Sequence, residues 1–164
     1  MTIEHRDIPL DLTAIEAALG RMVYRAGRLE AAVRYAAGRL ATTAEQLQAL
    51  GSLPAGKLVN KAREYAKTAV TGERISNDDR AELVKLLDET NVHLKSRNTY
   101  IHGVWLTRAD GSPFVMLNQK DFTVMTRPLA AEEIGKLSGT LLALSNDVFD
   151  WTVRVLGEDV ESLA

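Results

Sequence analysis

Apolar residues return along this chain with two different periods. Ile15, Leu19, Met22, Ala26, Leu29, Val33, Ala36 and Leu40 follow an alternating spacing of four and three, the repeat of one helix face. They predict a first helix over about 11–41, with Asp11 or Thr13 capping its start. Gly20, Gly27 and Gly38 interrupt it, and each costs about 1 kcal/mol against alanine. The expectation is that they mark close helix packing. Gly51-Ser52-Leu53-Pro54 breaks the pattern. Leu58, Ala62, Tyr65, Ala66 and Ala69 then predict a second helix over about 55–71, ended by Thr71-Gly72. Ser76-Asn77-Asp78-Asp79 joins a side-chain acceptor to early acidic residues, so a third helix is predicted over about 78–101, with Gly103 as its stop. Ile134, Leu137, Leu141, Leu144, Val148, Trp151 and Val155 predict a last helix over about 130–156.

Between the last two helices the period falls towards two. Val104-Trp105-Leu106-Thr107 and Phe114-Val115-Met116-Leu117 flank Ala109-Asp110-Gly111-Ser112-Pro113, which reads as a hairpin with an Asp-Gly turn. Asp121-Phe122-Thr123-Val124-Met125 adds a third short strand, and Pro128 closes the segment. The expected fold is a single all-α domain over 1–164, a four-helix antiparallel bundle with a small β-excursion at 104–126 between helices three and four. Residues 1–10 are read as a flexible tail.

The third helix does not keep a clean apolar face. With Arg97 set at zero and about 100° per residue, Leu83 and Ile101 fall at about 40°, Leu94 at about 60° and Leu87 at about 80°. Thr90, Asn98, Asn91 and His102 fall among or beside them, at about 20°, 100°, 120° and 140°. Burying such polar groups unpaired costs about 1–3 kcal/mol each. A hydrogen-bond network, a second subunit or a ligand has to compensate.

Composition narrows the chemistry. Hydrophobic residues are 46% of the 164, enough for a core, and no apolar run approaches the roughly 18 residues of a membrane span. The N-terminal stretch carries no signal-peptide pattern, and there is no cysteine, so disulfides, zinc ribbons and thiol catalysis are excluded. A cytoplasmic location is the expectation. Three scattered histidines make no transition-metal set, and the acidic residues lack the Glu-x-x-His pairs of a di-iron bundle. Walker, dinucleotide-binding and nucleophile-elbow motifs are absent, so no cofactor is expected.

The net charge of −2 does not mark a strongly basic nucleic-acid binder. Arg21, Arg25, Arg28 and Arg39 nevertheless recur at helical spacings, with Arg34 nearby. They form either a solvated face or a surface for a polyanion. Tyr100, Trp105, Tyr24 and Tyr35 are core or interface aromatics on one reading and base-stacking groups on the other.

The chemistry-bearing segment is Arg97-Asn98-Thr99-Tyr100-Ile101-His102. Histidine moves protons near neutral pH, and the fixed fork of arginine holds a phosphate as charge builds on it. Asn98 and His102 are four apart and can meet on one helix face, so Asn98 is a candidate to orient the imidazole. Arg97 lies about 140° from His102, too far for one straight helix to aim both at one phosphate. The structural alternative pairs Arg97 with Asp147 or Asp150 and leaves His102 as a helix C-terminal cap. His93 is read as a packing or surface histidine.

Arg97-Asn98-x-x-x-His102 at the end of the third helix of a small helical bundle resembles the Arg-x4–6-His motif of the HEPN superfamily, and His102-Gly103-Val104-Trp105 resembles the continuation seen in some bacterial members. The resemblance implies a metal-independent endoribonuclease, toxin or defence effector among them, that works as a homodimer with two motifs in one cleft. Arg97 would then bind the scissile phosphate, His102 act as general acid or base, and Asn98 orient. It also implies RNA and an antitoxin or regulatory protein as partners. The alternative from another class is a catalytically silent helical module that binds nucleotide, RNA or a protein.

Overall fold

The computed structural model of the chain describes residues 12–118 and 124–157. These form α1 (Thr13–Leu40), α2 (Ala44–Leu50), α3 (Ala55–Thr71), α4 (Asn77–His102), β1 (Val104–Thr107), β2 (Pro113–Asn118), β3 (Val124–Pro128) and α5 (Ala131–Leu156). The fold is mainly α with a small antiparallel sheet. The tail expected at 1–10 and the first part of the strand expected at 121–125 lie outside the described residues.

The long helices sit where the periodicity put them. α4 starts on a reciprocal cap: the Asp79 N–H donates to Ser76 Oγ at 3.0 Å, and the Ser76 N–H donates to Asp79 Oδ2 at 3.2 Å. α2 falls in a stretch with no periodic face to read. It has seven residues and one buried side chain, Leu50. A local exchange holds its start: Gln46 N–H donates to Thr43 Oγ1, while Thr42 N–H donates to Gln46 Oε1.

α1 is the centre of the molecule. It packs chiefly along α5 and also touches α3 and α4, and α4 lies against α3 and α5. Met22, Leu29, Leu58, Leu83, Leu87, Ile134, Leu141 and Trp151 fill the space between them. The expectation of antiparallel neighbours fails for the main pair. Arg25 meets Ser138, Tyr35 stacks on Phe149, and Arg39 reaches the Leu156 carbonyl, so α1 and α5 run in the same direction. Short links favour antiparallel packing only between consecutive helices, and α1 and α5 are not consecutive. α4 opposes α5, since Trp151 Nε1 near the end of α5 donates to the Asp79 carbonyl at the start of α4, at 3.1 Å.

The three strands follow the order β1-β2-β3, with Val104 opposite Met116 and Phe114 opposite Pro128. The turn between β1 and β2 contains the expected Asp-Gly pair. Asp110 accepts from the Ser112 hydroxyl and N–H, and Gly111 takes a φ of +84°, which suits glycine. Those two donors, hydroxyl first, hold the Asp110 carboxyl below its ordinary pKa. Gly103 ends α4 as read, but for a steric reason. Its backbone is extended, and a Cβ there would overlap Val115 Cγ2 and stand 2.6 Å from the Thr99 carbonyl oxygen. Buried Val115 thereby locks the sheet onto the end of α4.

The glycines of α1 correct another expectation. A Cβ at Gly20 or Gly27 would meet nothing within 4 Å, and at Gly38 only Leu47 Cδ2 at 3.7 Å. Gly20 and Gly27 do not mark close helix packing and leave the outer side of α1 bare, whereas Gly38 faces Leu47 of α2.

Candidate functional site

Along α4 the buried side chains are Leu83, Leu87, Thr90, Leu94, Thr99 and Tyr100. The first four match the stripe set out from Arg97. In the last turn the buried face rotates towards the sheet: Thr99 and Tyr100 go inside, while Ile101 stays 38% exposed. The Tyr100 carbonyl accepts from Trp105 Nε1 at 3.1 Å, which pins β1 beneath this turn.

Arg97 is held by the carboxylate of Glu30 on α1 and donates from Nη1 to Asn98 Oδ1 at 3.1 Å. This replaces the pairing with Asp147 or Asp150, which lie on α5. The signal was in α1 itself: Glu30 is four residues after buried Ala26, about 40° round the helix, on the shoulder of the apolar face. The side chains of Arg97 and Glu30 are 21% and 27% exposed, and Arg97 Nε is buried with no partner. Of the remaining polar groups, Thr90 is fully buried with its hydroxyl unpartnered, whereas Asn98 is exposed and Asn91 half-buried.

Arg97, Asn98, Asn91 and Lys95 line an open cleft of about 460 Å³ between α4 and the start of α3. Pro54 stands at the N-cap of α3 and offers no side-chain acceptor, so the first amides of that helix border the same cleft. Arg97 and Lys95 bring two cationic groups to this cleft and Asn91 and Asn98 two amides, with the Glu30 carboxylate on the same wall. His102 does not line this cleft. It is exposed at the end of α4 and makes no hydrogen bond or ion pair among the described residues. Asn98 gives its oxygen to Arg97 rather than to His102. A single chain therefore joins Arg97 to Asn98 and leaves His102 apart, as the helix angle required.

The chain on either side of His102 exposes apolar side chains. Ile101, Val104, Trp105 and Leu106 are all exposed, and β1 is the edge strand of the sheet. By contrast Leu83, Leu87 and Leu94 are core residues of one chain and are not open to a second subunit. Their partners are the apolar faces of the neighbouring helices, and Glu30 neutralises the one charge in their stripe.

The weaker sites divide. Arg21 is exposed, Arg25 donates to Ser138 Oγ at 3.3 Å, and Arg28 lines a cleft beside Asp150. Tyr100 is buried, so base stacking on its ring is excluded in this conformation. His93 lines a small cleft of about 260 Å³ with Ser96, Arg127 and Lys136, away from Arg97. Sequence reasoning missed Glu30 and Arg74. Among the described residues, no group of three or more His, Cys, Asp or Glu is placed to hold a metal ion, and no helix is long and apolar enough to cross a membrane. No protein-family model matches the chain, and neither a curated protein nor a solved structure matches it.

Proposed function

We propose that this protein is a metal-independent endoribonuclease of the HEPN kind, acting as a homodimer in which Arg97 and Asn98 of one chain and His102 of the other meet. The observation that carries the reading is the separation of the motif into a donor-lined cleft and an exposed histidine flanked in the chain by exposed apolar residues. A guanidinium and amides facing an open cleft suit a phosphate that gains charge in the transition state. An exposed imidazole at the end of α4 is within reach of a bound strand and can take or give a proton there. Exposed Ile101, Val104, Trp105 and Leu106 suit burial against a second copy, and a two-fold contact brings each motif in twice. His102 takes the proton of the RNA 2′-hydroxyl as its oxygen bonds to the adjacent 3′-phosphorus; the P–O5′ bond breaks, and the 5′-oxygen takes a proton from water, which gives a 2′,3′-cyclic phosphate and a 5′-hydroxyl. An antitoxin or other regulatory protein belongs to this reading as a partner. The test incubates the protein with RNA in EDTA beside the Arg97→Ala, His102→Ala double variant. Cleavage by the parent alone, with cyclic phosphate ends, supports the reading; equal cutting by both, or cutting that requires added magnesium, overturns it.

One observation favours a second reading. Glu30 occupies the guanidinium of Arg97, as a purely structural ion pair would. A catalytically silent helical module that binds RNA, nucleotide or a protein fits that arrangement, and parent protein that binds RNA without cutting it would establish this reading.

A further inference from the structure

Three clefts lie side by side across the outer side of α1 and share lining residues. The Arg97 cleft reaches Glu30. Glu30 also lines a second cleft, of about 880 Å³, together with Arg34, Arg39 and Arg74. Ala31 and Tyr35 continue this one into a third, of about 600 Å³, whose wall includes Arg28 and Phe149. Gly27 and Gly38 line the middle cleft, and the open space over Gly27 is what a side chain there would fill. From residue 27 to residue 38 the helix advances about 17 Å, or about five steps of a stacked strand.

Arg34 and Arg74 bring to the passage positive charge that no carboxylate among the described residues answers. Arg34 donates from Nη2 to the Leu53 carbonyl at 3.2 Å, and its Nη1 is buried without a partner. Arg74 donates to the Leu40 and Arg39 carbonyls at 2.9 and 2.8 Å. Neither makes an ion pair among the described residues. Carbonyls hold a guanidinium in place without cancelling its charge, and the C-terminal end of α1 offsets only about half of one. Among the described residues the acidic groups that line the passage are Glu30, committed to Arg97, and Asp150, in the third cleft with Arg28. At the far end the Tyr35 and Phe149 rings stack with centroids 5.7 Å apart, and Phe149 is 48% exposed. Guanidinium groups along a groove and an open ring at its end match the two needs of a single strand, backbone charge and base stacking.

We propose that this passage is a binding track for single-stranded RNA, leading from Phe149 across α1 to the Arg97–Asn98 cleft. Backbone phosphates lie against Arg34, Arg74 and Arg97, and a base lies on Phe149. Glu30 stands where the track enters the cleft, and its carboxylate competes with a phosphate for Arg97. The track rests on the ribonuclease reading for its purpose, but strand binding does not require cleavage.

The test is fluorescence anisotropy of a labelled, unstructured 12-nucleotide RNA with the full chain carrying His102→Ala. Three phosphate contacts predict a slope of about −2 in log K against log salt. Arg34→Gln and Arg74→Gln each reduce that slope by about 0.7 and weaken binding on any sequence. Phe149→Ala weakens it about fivefold or more, the low end of base stacking on a ring. Gly27→Met weakens it by filling the groove, although the helix itself is favoured by about 1 kcal/mol in propensity. Glu30→Gln tightens it, the opposite of what loss of a structural contact does. Arg74 also ties down the end of α1, so circular dichroism accompanies its variant, and surface Phe149 with Arg34 decides the matter if it unfolds. Parental affinity for both Arg34→Gln and Phe149→Ala overturns the track. Equal binding of polyglutamate also overturns it, in favour of an acidic protein partner. Track-dependent binding without cleavage by the parent sinks the nuclease reading and leaves the track; cleavage that ignores the track variants does the reverse.

Discussion

Replacing Glu30 by glutamine removes one charge from the only ion pair that joins α1 to the motif helix among the described residues. Two unit charges about 4 Å apart attract by roughly 1 kcal/mol in water and roughly 4 kcal/mol at an effective dielectric of 20. With side chains 21% and 27% exposed, the Arg97–Glu30 pair lies between these limits. Ordering and partly desolvating both groups opposes the attraction. A net coupling of about 1–2 kcal/mol follows. The two halves of the pair are not equivalent. Without Glu30, Arg97 keeps only Asn98 and has a buried Nε with no acceptor; without Arg97, Glu30 turns to water. Glu30→Gln is therefore expected to cost the larger part, and for a chain of this size to lower Tm by about 3–6 °C. Urea denaturation of Glu30→Gln, Arg97→Gln and the double variant closes the cycle and isolates the coupling. A coupling below about 0.3 kcal/mol refutes the reasoning. Arg97 would then be held by its apolar stem, and Glu30 would be no competitor for an anion. Lower stability together with tighter RNA binding in Glu30→Gln is the joint signature of an ion pair that a ligand displaces.

Other residues test the frame and the site. Gly103→Ala places a Cβ against Val115 and the Thr99 carbonyl, so it should cost about 1–3 kcal/mol in urea melts; parental stability would mean the sheet is not locked to α4. Ser76→Ala should cost about 1 kcal/mol at pH 7 by removing the α4 cap. The Ser76 hydroxyl, then its N–H and the charge of Arg154, hold the Asp79 carboxyl below its ordinary value of about 3.9. A depressed pKa in the folded state stabilises at pH above that value and is lost as pH falls through the folded one, so the Ser76→Ala penalty should shrink in melts at pH 3. A penalty that grows towards acid reverses the sign and removes the argument. Ile101→Asp, at a half-exposed position, should leave the fold intact while halving the mass seen by light scattering and removing any RNA cleavage; a parent with the mass of one 18.0 kDa chain ends the dimer proposal.

The long helices were legible because a helix core face repeats over five or more turns, and α1 and α5 are written that way from Ile15 to Leu40 and from Ile134 to Trp151. The cap at Ser76, the turn at Asp110-Gly111 and the stop at Gly103 were legible because each is a local residue preference. Which helices lie side by side, and in which direction, was not: nothing in the period of α1 says that α5 runs parallel to it. The partner of Arg97 was hidden for the same reason, since Glu30 is 67 positions away and only the α1–α4 contact brings it near. So the sequence by itself determined the elements, the polar interruption of the α4 stripe and the angular separation of Arg97 from His102, all consequences of helix geometry. The tertiary structure alone decided that Glu30 neutralises Arg97, that Thr99 and Tyr100 are buried while Ile101 is not, and that Gly27 opens a groove rather than closes a contact. Each of those depends on what stands opposite a face, and a one-dimensional period carries the face but not its neighbour.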